Sequence, residues 1–249
     1  MVKFWNIVNT LIREADIIIE VLDARLVEKT RNKEIENKIE KEGKQIIYVI
    51  TKCDLVEKEL LEKEKKKLSP CVFMSATKHY GTIILLKKIL QLSKGKNVTV
   101  AVLGYPNVGK SSVINALKGK KSAGVSSVPG FTKGKQKVRI TRNVQLIDSP
   151  GVYSYQENDE TNLTMIGSKD PHTIKDPETV AYEILELFLK QNKKNILEQK
   201  YEITLQEEES YELLEELALK KKKIKKGETP DTETMARILI SDWQRGKLQ

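Results

Sequence analysis

The sequence predicts an α/β fold, a mostly parallel sheet with helices on both faces, followed by a small C-terminal all-helical domain. Two observations carry this expectation. Over the first two-thirds of the 249 residues, short β-branched apolar runs alternate with helical stretches, as in strands joined by crossover helices. After about residue 156 the strand signal stops and only helical periodicity remains. These place an α/β domain at 1–157 and a helical domain at 158–249.

In chain order, residues 17–22 read as a buried strand, 31–42 as a charged helix and 45–50 as a second strand. A charged helix at 55–68, a strand at 71–74 and an amphipathic helix at 82–92 follow. Residues 98–103 form the next strand, and a helix opens near Lys110. Runs at 137–141 and 144–147, with Arg142-Asn143 between them, predict an antiparallel hairpin at one sheet edge. In the helical domain, Asp176-Pro177-Glu178 is a helix start: Asp as N-cap, Pro at the first helical position, acid in the first turn. Val180, Ile184, Leu187 and Phe188 supply its apolar face. A second helix carries Tyr211, Leu214, Leu217 and Ala218. Gly227 and Pro230 break the chain before a third, with Met235, Leu239 and Trp243 on one stripe.

Composition excludes several classes. The longest apolar runs, 46–50 and 98–103, are far too short to cross a bilayer, and the N-terminus lacks a signal-peptide core. A cytoplasmic protein with no membrane partner is expected. Two cysteines, Cys53 and Cys71, and two histidines, His79 and His172, offer no disulfide framework and no zinc spacing. Lysine and arginine number 44 against 35 acids, a formal charge of +9. Only seven of the 44 are arginine, and lysine is a point charge that suits phosphate contact better than base reading. A nucleic-acid partner would therefore be held by backbone and shape. The same lysine and glutamate richness also fits a hot habitat, so total charge decides nothing alone.

The chemistry is set by Gly104-Tyr105-Pro106-Asn107-Val108-Gly109-Lys110-Ser111, which fits G-x-x-x-x-G-K-[ST] between an apolar strand and a helix that includes Ser112. In such a loop, backbone N–H groups such as those of Val108 and Gly109 curl around phosphate oxygens. The lysine, Lys110, bridges the β- and γ-phosphates, Ser111 ligates Mg²⁺, and the helix N-terminus adds its dipole. Two further segments name the base. Thr51-Lys52-Cys53-Asp54 and Ser75-Ala76-Thr77 each follow a predicted strand, where ligands gather in open α/β sheets. Asp54 can accept from guanine N1–H and the 2-amino group, a donor pair that adenine lacks. The Lys52 stem can pack over the base, and the Ala76 N–H can meet guanine O6. Asp148-Ser149-Pro150-Gly151 places a carboxylate for Mg²⁺ through water and a Gly151 N–H for the γ-phosphate. In Pro129-Gly130-Phe131-Thr132, the Thr132 hydroxyl can complete the Mg²⁺ shell.

The order of these motifs resembles the circularly permuted GTPases of the YlqF/YawG type, assembly factors of the large ribosomal subunit. Thr51–Asp54 and Ser75–Thr77 precede the phosphate loop, whereas in ordinary GTPases the guanine-reading motif follows it. Glu20-Val21-Leu22-Asp23-Ala24-Arg25, the run 129–136 and the tail from Gly227 to Lys247 extend the resemblance over nearly the whole chain. The family often has Asn where Thr51 stands. Val152 follows Gly151 where switch GTPases place a water-orienting Gln, so slow intrinsic hydrolysis is expected. Asn107 matches the asparagine that coordinates K⁺ in related potassium-activated GTPases, which implies K⁺ beside GTP/GDP and Mg²⁺.

The resemblance implies the large ribosomal subunit or its precursor as partner, through rRNA rather than DNA, with the protein a monomer off the ribosome. Charge placement agrees. Residues 112–147 hold Lys118, Lys120, Lys121, Lys133, Lys135, Lys137, Arg139 and Arg142 and no acid, and 220–226 hold six lysines around Ile224. The sequence leaves open a GTP-sensing RNA-binding module with negligible hydrolysis, a P-loop GTPase acting on tRNA or rRNA outside assembly, and a small-acceptor P-loop kinase.

Overall fold

A computed structural model describes residues 2–119, 137–147 and 159–248, and divides the chain into two compact units, Met1–Gln156 and Glu157–Gln249. The first unit begins with α1 (Val2–Glu14), a helix the sequence reading did not include, and β1 (Ile17–Asp23). A 3₁₀ turn, Ala24–Leu26, leads into α2 (Val27–Thr30), then α3 (Lys33–Lys41) and β2 (Gln45–Thr51). A second 3₁₀ turn, Cys53–Leu55, precedes α4 (Lys58–Lys67), β3 (Cys71–Phe73) and α5 (Thr82–Ser93). β4 (Val98–Leu103), α6 (Lys110–Lys118), β5 (Lys137–Arg139) and β6 (Val144–Ile147) complete the described part. The helix expected at 31–42 starts two residues later because Asn32 caps it, accepting from Ile35 N at 3.0 Å. The one expected at 55–68 gives its first turn to the 3₁₀ segment.

The sheet runs β3-β2-β1-β4-β6-β5, parallel throughout except for the antiparallel β5–β6 pair at its edge, as the hairpin signal predicted. β1 is buried along its whole length, which is why it reads as an unbroken apolar run. Alternation divides it. Ile18 packs with Leu11 and Ile12 of α1 and with Ile35 and Ile39 of α3, and Leu22 packs with Leu61 and Leu68 around α4. Ile17, Ile19 and Val21 point to the opposite face, where α5 and α6 lie against each other. Crossover direction reverses between β1 and β4, so the carboxyl ends of these strands form the crevice in which such sheets bind ligands.

The second unit contains α7 (Glu160–Met165), α8 (Pro177–Lys190), α9 (Lys194–Tyr201), α10 (Ser210–Lys220) and α11 (Thr232–Gln244). Asp176 caps α8 as expected, accepting from Thr179 N at 3.1 Å. Val180, Ile184, Phe188, Leu214, Leu217, Ala218, Met235, Leu239 and Trp243 are buried. Two expected core positions are not: Tyr211 is exposed, and Leu185 rather than Leu187 turns inward. The Phe188 and Trp243 rings meet edge to face at 6.0 Å, and Trp243 Nε1 donates to the Met165 carbonyl at 2.9 Å. No helix among the described residues is long and apolar enough to cross a membrane.

Candidate nucleotide site

The loop between β4 and α6 has the backbone that its glycines predict. Gly104 has φ 144°, and a Cβ there would lie 2.5 Å from the Val21 carbonyl of the neighbouring strand. Gly109 has φ 103°, with its missing Cβ 3.1 Å from the Thr51 hydroxyl. Asn107 also sits in the left-handed region, at φ 58°. Lys110, the first residue of α6, is buried and donates from Nζ to the Tyr105 carbonyl, so its ammonium folds back over the loop. Burial holds this ammonium down at about pKa 8. Ser111 is exposed and Ser112 half-buried in the same helical turn, beside the unpaired N–H groups of the helix start.

Thr51 connects this loop to the base-reading side. Its hydroxyl lies between the Leu22 carbonyl, at 2.9 Å, and the Val108 carbonyl of the phosphate loop. One hydroxyl proton thus serves two strand ends and the loop, the place where the resembled family often carries a carboxamide.

On the other side, Cys53 N donates to the Met74 carbonyl at 3.3 Å, bringing the two guanine-reading segments into register. Residues 75–80 close on themselves through Ser75 N to Tyr80 O (3.1 Å) and Tyr80 N to Ser75 O (3.0 Å). Inside that loop, Ser75 Oγ and Thr77 Oγ1 are 3.0 Å apart, and Thr77 Oγ1 donates to Asp54 Oδ2 at 2.8 Å. Burial raises the Asp54 carboxyl, but hydrogen bonds from Ser75 and Thr77 outweigh it and hold the group below its ordinary value. The carboxylate stays ionised, as an acceptor for two donors must. Ala76 is exposed at the loop tip.

Lys52, at φ 55°, sends Nζ to Asp23 Oδ2 at 2.6 Å. Asp23, fully buried at the end of β1, also accepts from Arg25 N (3.0 Å), Nε (3.0 Å) and Nη2 (2.8 Å). Burial alone would raise this carboxyl; the Arg25 hydrogen bonds and charge, with that of Lys52, bring it to about 2. The Asp23–Arg25 fork therefore positions the Lys52 stem. Sequence reasoning noted both residues only within a family run; the available signal was a charged pair ending a strand otherwise wholly apolar but for Glu20.

The fold thus brings together Thr51, Lys52, Asp54, Ser75, Ala76 and Thr77 with Asn107, Val108, Gly109, Lys110, Ser111 and Ser112 at one end of the sheet. Thr132, Asp148 and Gly151 lie outside the described residues, as do Lys120, Lys121, Lys133 and Lys135. Among the described residues no group of three or more His, Cys, Asp or Glu could hold a metal ion. Among the described residues the exposed Ser111 hydroxyl is a donor for a hard cation, and it fits Mg²⁺ in a shell shared with phosphate oxygens.

The sequence profile of the 50S ribosome-binding GTPase family matches residues 99–224, and that of the RsgA GTPase family matches residues 10–158. A GTP-binding protein of Methanocaldococcus jannaschii is 43% identical over 247 residues, 98% of this chain and 65% of that protein. Nucleolar GTP-binding protein 2 of Saccharomyces cerevisiae is 33% identical over 260 residues, 99% of this chain and 52% of that protein. The chain thus spans between about half and 65% of the length of these relatives. Among solved structures, GNP-bound YlqF from Thermotoga maritima superposes with a TM-score of 0.63 at 25% identity, covering 98% of this chain and 94% of that one. The GDP-bound form gives 0.64 at 25% identity, covering 96% and 94%.

Proposed function

Since the chain belongs to the circularly permuted GTPases of the YlqF/YawG type, we propose that it is a GTP-binding and GTP-hydrolysing switch that acts on the large ribosomal subunit or its precursor. The observation that carries this reading is the bond from Thr77 to Asp54, which fixes an ionised carboxylate for guanine on the same sheet end as the phosphate loop. Adenine would leave that carboxylate unpaired, and a small-acceptor kinase gives it no task. The names of the relatives, a 50S ribosome-binding GTPase family and nucleolar GTP-binding proteins, support the ribosomal partner.

In this reading Asp54 accepts from guanine N1–H and the 2-amino group, Ala76 N–H donates to O6, and the Lys52 stem covers the base. Val108 and Gly109 N–H groups and the start of α6 bind the phosphates. Lys110 leaves the Tyr105 carbonyl to bridge the β- and γ-phosphates, where its charge meets negative charge growing on the β–γ bridging oxygen. Gly151 N–H donates to the γ-phosphate. Ser111, Thr132 and Asp148 would hold Mg²⁺, whose charge neutralises the phosphate oxygens. Asn107 would hold K⁺, which supplies the positive charge that an arginine finger gives elsewhere. With Val152 after Gly151, no glutamine in that position orients water, so turnover is slow until the ribosome is bound. The protein is placed in the cytoplasm as a monomer off the ribosome, with Lys118–Arg142 and the 220–226 cluster contacting rRNA. Within that cluster Lys220 is engaged by Glu216, Lys221 by the Tyr201 carbonyl and Lys225 by Asp231.

The test has three arms. Competition of labelled GDP by GTP and by ATP should show GTP favoured by at least about 100-fold. Turnover should rise on addition of large subunits, and KCl should exceed NaCl. Equal competition by ATP ends the GTPase reading, and unchanged turnover with subunits favours a sensor over a switch. Equal rates in the two salts remove the K⁺ role.

A further inference from the structure

The acid-free stretch is longer than the first switch. From Lys65 to Ile147 there is no aspartate or glutamate, while there are 15 lysines and two arginines; all 35 acids lie elsewhere. Its two described helices share one layer of the fold. α1 to α4, with their glutamates, pack on the Ile18 and Leu22 side of the sheet, and Lys65 and Lys67 at the end of α4 pair there with Glu62 and Glu64. α5 and α6 form the other layer, and neither contains an acidic residue.

The surface of α5 is unusual in a second way. Leu85, Ile89 and Ser93 face the sheet and are buried. On the outside, Ile83, Lys87, Leu90 and Lys94 recur at i, i+4, i+7 and i+11, within about 60° of one another around the helix. Ile83 is 71% exposed and Leu90 41%. This stripe runs from the Ser75–Tyr80 loop, where Tyr80 is half exposed, towards Lys94 and Lys96, a helix length of about 18 Å. At its far end Asn143 Nδ2 donates to the Gly95 carbonyl at 3.1 Å, which sets Lys94 and Lys96 beside exposed Arg142. Asp16 also lies towards that end, its carboxylate accepting from Thr99 N at 2.8 Å.

We propose that the outer face of α5, with the Lys94–Lys96–Arg142 end, is a docking surface for double-stranded RNA. It rests on the reading above that RNA of the large subunit is the partner, and adds to that reading the outer face of α5, which continues into the first basic patch at Arg142. Lysines spaced along one line suit successive phosphates. Leu90 between them and Ile83 before them lie against riboses of the wide, shallow minor groove of an A-form duplex. An acidic peptide would account for the stripe but not for positive charge continuing past the helix end into Lys96 and Arg142. A duplex, whose phosphates continue past the end of the helix, accounts for both.

The test is anisotropy binding of a fluorescent RNA duplex of about 16 base pairs, a span typical of shape-reading RNA modules, across a KCl series. Lys87→Glu with Lys94→Glu should weaken binding at least tenfold and reduce the salt slope by roughly 2. Ile83→Ser with Leu90→Ser should weaken it several-fold without altering the slope. Lys33→Glu with Lys41→Glu, on α3 of the opposite layer, should change it less than twofold. GDP binding, measured on every sample, should stay at the wild-type value, showing that the variants fold. Wild-type RNA affinity in both α5 variants overturns the proposal, as does stronger competition by polyglutamate than by unlabelled duplex, which would make this a protein site. A wild-type chain that binds duplex through α5 but does not bind GDP would end the GTPase reading and leave this surface standing.

Discussion

Thr77 donates its hydroxyl to Asp54 at 2.8 Å, linking two loops that are 23 residues apart in the chain. The bond favours the ionised carboxylate and fixes its rotamer before any base arrives, so it contributes preorganisation as well as charge. Asp54→Asn should lower GTP affinity at least about 100-fold and raise that for XTP, because a carboxamide can donate to the 2-oxo group of xanthine. Thr77→Ala keeps the carboxylate and loses only its positioning, costing about 1 kcal/mol, or roughly fivefold in GTP affinity. Equal losses for GTP and XTP in Asp54→Asn would mean the loop, rather than the recognition, had failed.

Thr51→Val is the conservative test of the link between the two halves of the site. The methyl keeps the shape against Gly109, while the Leu22 and Val108 carbonyls lose a shared donor. A cost of about 1–2 kcal/mol is expected, seen as a fall in Tm of several degrees together with weaker GDP binding. A lowered Tm with unchanged GDP affinity would show that the hydroxyl only joins strands.

Much of this was legible because strand ends carry the motifs. β2, β4 and β6 announced themselves as β-branched runs, and each motif followed one directly, so motif and topology confirmed each other. α1 was not legible: Val8, Leu11 and Ile12 have helical spacing, but nothing caps the start in sequence. α7 and α9 were too short to show a full apolar period; α7 is marked only by Asp159, which accepts from Asn162 N at 3.0 Å. The Asp23–Arg25–Lys52 cluster was hidden for another reason. Asp23 and Lys52 are 29 residues apart, and nothing in a single sequence says which buried acid meets which cation.

Glu20 gives the fold a pH dependence of its own. It lies in the middle of β1, fully buried, with Oε1 accepting from Asn32 N at 2.9 Å. Burial, reinforced by the Glu36 charge, pushes its carboxyl up to about 8 from 4.5. Its folded value exceeds its unfolded one, so its stabilising protonation is fully available below about 4.5 and is lost as pH rises through about 8. Over that window stability should fall by up to about 1.4 kcal/mol per pH unit from this group. Glu20→Gln keeps the acceptor and needs no proton, so it should raise Tm at pH 8 and flatten the profile. A wild-type Tm that does not fall between pH 6 and pH 8 would refute this.

Lys110 makes nucleotide binding pH-dependent in the same range, by the opposite route. Free of phosphate, its ammonium is buried against the Tyr105 carbonyl, and that burial lowers its pKa to about 8. Phosphate oxygens stabilise the charged form, so the complex keeps the proton that the free protein loses. GDP affinity should therefore hold steady below pH 8 and fall by up to tenfold per unit above it, with proton uptake on binding that calorimetry in buffers of different ionisation enthalpy can count. Lys110→Met should bind far more weakly at every pH and lose this uptake, because no group at that position titrates. If the uptake survives in Lys110→Met, the proton belongs elsewhere, and the loop lysine is not the group that meets the phosphates.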